Sequence, residues 1–95
     1  MKHLAVSKQF QKQLKKLSRQ DQLNAVEALK SLLAGLKHGE IPKGLGFKKI
    51  NGDKYEIRVG LRIRIAMKAE HDTLFCHVIG DHEAICHYLR NYRNH

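Results

Sequence analysis

Apolar and polar residues alternate with a period of two over much of the second half of the chain. Residues 55–59 have the sequence YEIRV and residues 63–68 have the sequence IRIAMK, so most large apolar side chains are followed by a charged or small one. Such alternation is typical of β-strands that bury one face. Because Gly60 lies between the two runs, the pattern predicts a β-hairpin.

The phase of the alternation also predicts the register of this hairpin. The apolar side chains of both strands share one face only if Val59 lies opposite Ile63, which implies a loop of about three residues. In that register Arg58 lies opposite Arg64 on the other face of the sheet, and Glu56 shares that face. The polar face of the hairpin is therefore predicted to be mainly cationic.

Helical spacing replaces strand spacing in the first half of the chain. After a predicted edge strand at 2–7, Ser7 and Ser18 each precede apolar residues at helical intervals, which predicts two helices with serine N-caps. Gly35 and Gly39 are both candidate ends of the second helix. The face of this helix that is predicted to be buried carries Leu23, Val26, Leu29, Leu33 and Leu36.

The last third of the chain predicts a buried strand and a closing helix. Residues 74–79 are apolar nearly throughout, which favours a central strand ending at Gly80. Asp81 can cap a helix whose inner face carries Ala84, Ile85, Tyr88 and Leu89. The order strand, two helices, three strands and helix predicts an α+β fold. In it, a small, mainly antiparallel sheet packs against an N-terminal helical hairpin, with a short C-terminal helix, in a single domain 1–95.

The charge balance indicates the kind of partner. The 95 residues include 18 Lys and Arg against 9 Asp and Glu, a formal net charge of +9. A polyanion or an acidic protein would neutralise this charge, whereas the alternative is a basic surface without a dedicated partner. Cys76 and Cys86 form no Cys-x-x-Cys motif, so we expect a reducing cytoplasm. Neither a signal peptide nor a membrane-spanning helix is expected.

Three arginines define the first candidate site, which we call the arginine face: Arg58, Arg62 and Arg64. Each guanidinium can donate two parallel hydrogen bonds to phosphate oxygens. The alternative is a solvated sheet face. Like charges directly opposite each other reduce sheet stability, which favours an external anion over Arg58 and Arg64. The candidate phosphate-binding residues around the arginine face are Lys48, Lys49, Arg64 and Lys68.

A second candidate site lies around the start of the last helix. His82 can act as an acid or a base near neutral pH, or it can be an exposed residue of the first helical turn. Tyr88 can be catalytic or part of the core. His82 and Cys86, with Cys76 and His77 on the preceding strand, match no zinc spacing, and the cysteines are better explained as small buried side chains. No metal or cofactor is therefore expected.

Nearly the whole chain resembles the RelE/ParE superfamily of toxins from bacterial type II toxin–antitoxin systems. The resemblance is carried by SKQFQKQLKKL, by FKKINGDKYEIRVGLRIRI and by GDHEAICHYLRNY. It implies the same α+β fold and a cognate acidic antitoxin in a hetero-oligomeric complex. RelE-like members cleave mRNA in the ribosomal A site without a metal. ParE-like members inhibit DNA gyrase and lack the nuclease residues, and a degenerate basic RNA- or protein-binding module is a third alternative.

The resemblance also implies roles for individual residues. Arg62 falls at the strand position of a phosphate-stabilising arginine, and Arg58 falls at the position of a basic residue. His82 falls where some members have arginine and others a catalytic histidine, and Tyr88 falls at an aromatic residue that stacks on or orients the base. Glu56 stands where RelE has lysine, so the general base could be Glu56 or His82.

Overall fold

The computed structural model describes residues 1–92, so residues 93–95 of the predicted domain lie outside the described residues. Its three helices and five strands follow the predicted order, with one additional strand before the hairpin. The strands are β1 (His3–Val6), β2 (Lys48–Asn51), β3 (Lys54–Val59), β4 (Ile63–Glu70) and β5 (Thr73–Gly80). The helices are α1 (Lys8–Lys15), α2 (Arg19–His38) and α3 (His82–Tyr92), and a short 3-10 turn covers Lys43–Leu45.

The strands form one sheet in the order β1-β5-β4-β3-β2. β1 runs parallel to β5, and the other neighbours are antiparallel, so the predicted α+β class with a mainly antiparallel sheet is confirmed. β5 is internal, as its apolar sequence predicted. Four strands follow α2 instead of the three predicted, because residues 48–51 pair with β3.

The hairpin register is the predicted one. Val59 pairs with Ile63, Arg58 pairs with Arg64, and Glu56 pairs with Ala66. The apolar side chains on the other face of β3 and β4 enter the main core, which puts the charged set on the second face of the sheet. The turn that joins the strands spans residues 60–62.

α1 and α2 cover the first face of the sheet. Both begin at the predicted serines, because Ser7 Oγ accepts the Phe10 N–H at 3.0 Å and Ser18 Oγ accepts the Asp21 N–H at 3.1 Å. The core between the helices and the sheet consists of Phe10, Ala25, Ala28, Leu32, Leu45, Ile57, Val59, Ile65, Met67, Leu74, Cys76 and Ile79.

The predicted buried face of α2 is partly wrong. Leu23 is 52% exposed and Val26 is 39% exposed. The buried residues of α2 lie on a different face of the helix, and three of the four are small. They are Ala25, Ala28, Leu32 and Gly35. Small side chains let the helix approach its neighbours closely, and a β-carbon at Gly35 would lie 2.9 Å from the carbonyl oxygen of Glu40. Gly35 is therefore a packing position, and α2 ends at His38 with Gly39, whose φ is 82°, as its C-cap.

α3 lies on the second face of the sheet, over β4 and β5. The Asp81 carboxylate accepts the Ala84 N–H at 2.9 Å and caps the helix, as predicted. The predicted inner face of α3 packs against Ala66 and Val78. None of the helices within residues 1–92 is long and apolar enough to cross a membrane.

Candidate functional site

A buried carboxylate lies among cations on the second face of the sheet. Glu56 is 6% exposed. Arg64 Nη1 donates to Glu56 Oε2 at 3.3 Å, and Lys48 Nζ lies 3.6 Å from the same oxygen. The Lys48 side chain is largely exposed, and that of Arg64 is partly exposed. Glu56 therefore holds the Arg64 guanidinium in place. Its carboxylate is also a proton acceptor next to the cations.

Arg58 extends this cluster along β3, two residues after Glu56. It pairs with Arg64 across the hairpin and is exposed. Within residues 1–92 it makes no ion pair, so its guanidinium is available to an external anion. The Arg58 side chain packs closely against Gly46, because a β-carbon there would lie 2.8 Å from Arg58 Nε.

Arg62 and His82 lie at the same end of the sheet. Arg62 is exposed and belongs to the turn two residues before Arg64, so it does not lie within the strand as the resemblance implied. Gly80 pairs with Arg64, and His82 begins α3 two residues after Gly80. Both residues therefore lie near the end of the sheet at which Arg58 pairs with Arg64. His82 is exposed, and its Nε2 lies 3.4 Å from Cys86 Sγ.

Tyr88 lies mostly in the interior. It is 5% exposed and belongs to the cluster beneath α3 with Ala66, Val78 and Ile85. Its ring stacks on that of His77, with centroids 5.9 Å apart. It also lines a pocket of about 230 Å³ between α1 and α3, whose other lining residues are Gln9, Gln13, Val78, Ala84, His87 and Asn91. This burial is compatible with orienting a neighbouring group.

The remaining predicted phosphate-binding lysines are spread over the sheet. Lys48 joins the Glu56 cluster, as described above. Lys49 pairs with Tyr55, which stacks on Phe47 and packs against the main core, so Lys49 is on the opposite face. Lys68 shares the face of Arg64 but lies four residues further along β4, about 13 Å away.

Sequence reasoning missed a group of residues near Lys68. Burial lowers the pKa of His77, and the neighbouring Lys68 lowers it further. Lys54 is 6% exposed, and its Nζ lies 2.8 Å from Asp53 Oδ1. That hydrogen bond lowers the pKa of the Asp53 carboxyl. His77 lies where the pairing of β4 with β5 shifts by one residue, and the alternation of the sequence carries no signal for this bulge.

The cysteines do not combine with the histidines into a larger cluster. No group of three or more His, Cys, Asp or Glu side chains in residues 1–92 has a geometry suited to a metal ion. Cys76 is fully buried in the main core, where burial raises the pKa of its thiol to about 12. The thiol is therefore an inert core side chain.

The arrangement of strands and helices matches that of known toxins. A chain of the RelB–RelE antitoxin–toxin complex from Methanococcus jannaschii has a TM-score of 0.68 and 22% sequence identity, over 88% of this chain and 96% of that chain. YafQ from E. coli strain BL21(DE3) has a TM-score of 0.63 and 18% identity, over 90% and 98%. The intact E. coli RelBE toxin–antitoxin complex contains a chain with a TM-score of 0.58 and 17% identity, over 85% and 96%.

These similarities define the class of fold. The protein has the RelE-like toxin fold, and the resemblance to the RelE/ParE superfamily is confirmed for the fold. No family model and no curated protein matches the sequence.

Proposed function

We propose that this protein is the toxin of a type II toxin–antitoxin system and a metal-independent, ribosome-dependent mRNA endonuclease. The observation that carries the proposal is the Glu56 carboxylate on one face of a RelE-like fold, held by Arg64 and Lys48 beside Arg58, which makes no ion pair within residues 1–92. A buried proton acceptor next to phosphate-binding cations is the minimum that RNA cleavage by internal attack requires.

The proposed reaction breaks one P–O bond and forms another. Glu56 accepts the proton of a ribose 2′-hydroxyl, and the 2′-oxygen attacks the adjacent phosphorus. The P–O5′ bond breaks as His82, in its protonated form, donates a proton to the 5′-oxygen, which leaves a 2′,3′-cyclic phosphate and a 5′-hydroxyl. Arg58, Arg62 and Arg64 stabilise the charge that accumulates on the phosphate oxygens in the transition state. Tyr88 orients the groups around this site.

The proposed partners follow from charge and from the similar structures. The M. jannaschii RelB–RelE and E. coli DinJ–YafQ structures each contain a toxin together with its antitoxin. A net charge of +9 fits an acidic antitoxin that covers the cationic face in a hetero-oligomer, and fits mRNA in the ribosomal A site in its absence. Affinity for the antitoxin should fall strongly from low to high salt, and affinity independent of salt would contradict an electrostatic partner surface.

Primer extension on an mRNA during translation tests the nuclease. The wild-type protein should produce cleavage within codons only when ribosomes translate the message. Arg62→Ala and Glu56→Gln should each reduce the cleavage rate about 100- to 1,000-fold, because each removes a group that acts in the transition state. Arg19→Ala, an exposed arginine on α2, is the control and should cleave normally.

Two results would contradict this proposal. A wild-type protein that stops growth without cleaving mRNA would indicate a target such as gyrase instead. Normal cleavage by a folded Arg62→Ala protein would remove Arg62 from the mechanism.

A further inference from the structure

A second group of cations and rings lies on the same sheet face as the arginine face. We call it the lysine–aromatic cluster, and it consists of Lys54, Lys68, Phe75 and His77. Lys54 pairs with Lys68 across β3 and β4, and Lys68 pairs with Phe75 across β4 and β5. Paired residues share a face, and the residues that alternate with them enter the main core. The cluster therefore forms a row across the second face.

The β-bulge in β5 brings a second ring to this row. The pairing with β4 shifts between Ala66 and Met67, which leaves His77 without a partner on β4. As a result, His77 and Val78 both contact Tyr88 on the second face, although they are adjacent in sequence. The ring of His77 lies 6.4 Å from that of Phe75 with a tilt of 51°.

Core packing accounts for one face of the His77 ring, which stacks on Tyr88, but not for the Phe75 ring. Phe75 and His77 are both only partly buried, and neither belongs to the two hydrophobic clusters that the described residues form. Burial lowers the pKa of His77, so its ring is neutral at neutral pH and offers an uncharged face for stacking. Aromatic surfaces of this kind beside a cationic track are what single-stranded nucleic acids bind.

The row can bind a phosphate group through its partly exposed cation. Lys68 Nζ lies 3.5 Å from Glu70 Oε1, and both side chains are partly exposed, so solvent weakens this pair and a phosphate can replace the carboxylate. Lys54 is nearly buried and its charge is compensated by Asp53, so Lys68 is the cation of the row that can bind a phosphate. The row lies about 13 Å from Arg64, too far for one nucleotide to contact both sites.

We propose that the lysine–aromatic cluster is a second nucleotide subsite for single-stranded RNA. In it a base stacks on the Phe75 ring, the tilted His77 ring contacts the edge of that base, and Lys68 contacts the phosphate of that nucleotide. The subsite rests on the proposed function, because the same strand would place its reactive phosphate on the arginine face. It deepens that function by requiring a nucleotide beyond the cleaved one, bound through the π-face of its base and therefore with little sequence preference.

Binding of a fluorescently labelled, single-stranded RNA oligonucleotide at low salt tests the subsite without requiring cleavage. Phe75→Leu keeps an apolar side chain and removes the ring, and it should weaken binding about tenfold, since stacking of a base on an aromatic ring contributes on the order of 1–3 kcal/mol. Phe47→Leu is the matched control, because Phe47 stacks on Tyr55 on the opposite face, and it should leave the affinity unchanged.

A series of oligonucleotides with one abasic position each identifies the stacked base. In the wild-type protein, one abasic position away from the reactive phosphate should weaken binding as much as Phe75→Leu does. In the Phe75→Leu protein that same position should have no further effect, because the two changes remove one interaction.

Three results overturn the subsite. The first is equal affinity of wild-type and Phe75→Leu proteins for RNA, even if both cleave mRNA, and this leaves the proposed nuclease standing. The second is an additive effect of the abasic position and Phe75→Leu. The third is that Phe75→Leu abolishes binding to an acidic antitoxin peptide and leaves RNA binding unchanged, which would make the cluster a protein-docking surface. Absence of cleavage with the abasic coupling intact would instead overturn the nuclease and keep the subsite.

Discussion

Arg58 and Arg64 lie directly opposite each other on β3 and β4, and Arg64 donates to Glu56 whereas Arg58 has no ion pair within residues 1–92. Like charges in this position lower the stability of a sheet. Glu56 compensates for one of the two charges. The other charge remains exposed on the face that we propose binds phosphate, as expected where function and stability have opposite requirements.

Replacing Arg58 should therefore stabilise the protein and impair it. We expect Arg58→Gln to raise the free energy of unfolding by about 0.2–1 kcal/mol at low salt, because it removes the repulsion from Arg64. The gain should shrink at high salt, where the repulsion is screened. Urea denaturation at both salt concentrations measures the effect, and cleavage of translated mRNA measures the loss of activity.

Lys12→Gln is the control for the change of net charge, because Lys12 is exposed on α1. It should give a smaller change in the free energy of unfolding than Arg58→Gln gives. A less stable Arg58→Gln protein would mean that packing of the Arg58 stem against Gly46 outweighs the repulsion.

The pairing of the two arginines could be predicted because a strand has only two faces. Once the apolar side chains of β3 and β4 were required to share a face, Val59 had to lie opposite Ile63, and the position of Arg58 followed. The caps at Ser7, Ser18 and Asp81 could be predicted for a similar reason, since each is a local interaction between residues three apart.

Contacts between distant segments could not be predicted in this way. The buried face of α2 includes Ala25, Ala28 and Gly35, which allow close packing because they are small and not because they are strongly hydrophobic. The β-bulge at His77 depends on how β5 fits against β4 and beneath α3. The support of Arg58 by Gly46 joins residues that no periodicity relates. Each of these features arises from close packing in three dimensions.

Gly46→Ala should impair the site without changing any charge. Gly46 has a φ of 60°, and a β-carbon there would lie 2.8 Å from Arg58 Nε. The substitution should lower the free energy of unfolding by about 1–2 kcal/mol through backbone strain, and it should also displace the Arg58 side chain. Cleavage by the folded variant, measured on translated mRNA, should fall toward that of Arg58→Gln.

Gly39→Ala separates backbone strain from displacement of Arg58. Gly39 has a φ of 82°, and a β-carbon there meets no atom within 4 Å. This control should lose similar stability and keep normal cleavage. Equal cleavage by the two alanine variants would show that Gly46 does not position Arg58.

His82→Gln tests proton transfer to the leaving 5′-oxygen. Glutamine has similar size and hydrogen-bonding capacity, but it cannot donate a proton at neutral pH. We expect unchanged binding to the ribosome and a cleavage rate at least about 100-fold lower under single-turnover conditions. His38→Gln, at the exposed end of α2, should cleave normally. If His82→Gln cleaves at the wild-type rate, another group such as Tyr88 is the acid.

The stability of the fold should depend on pH through His77, whose pKa is lowered from its ordinary value of 6.5 mainly by burial and then by Lys68. The unfolded chain therefore binds a proton on His77 more readily than the folded chain does. The contribution of His77 to stability is therefore fully present above pH 6.5, and it is lost as pH falls from there through the lower pKa of the folded state.

His77→Phe keeps the ring against Tyr88 and removes the titration. We expect the free energy of unfolding from urea denaturation to fall less steeply between about pH 7 and about pH 5 in His77→Phe than in the wild type. His38→Gln, which removes an exposed histidine, should keep the wild-type slope. Equal slopes for His77→Phe and the wild type would show that protonation of His77 does not oppose folding.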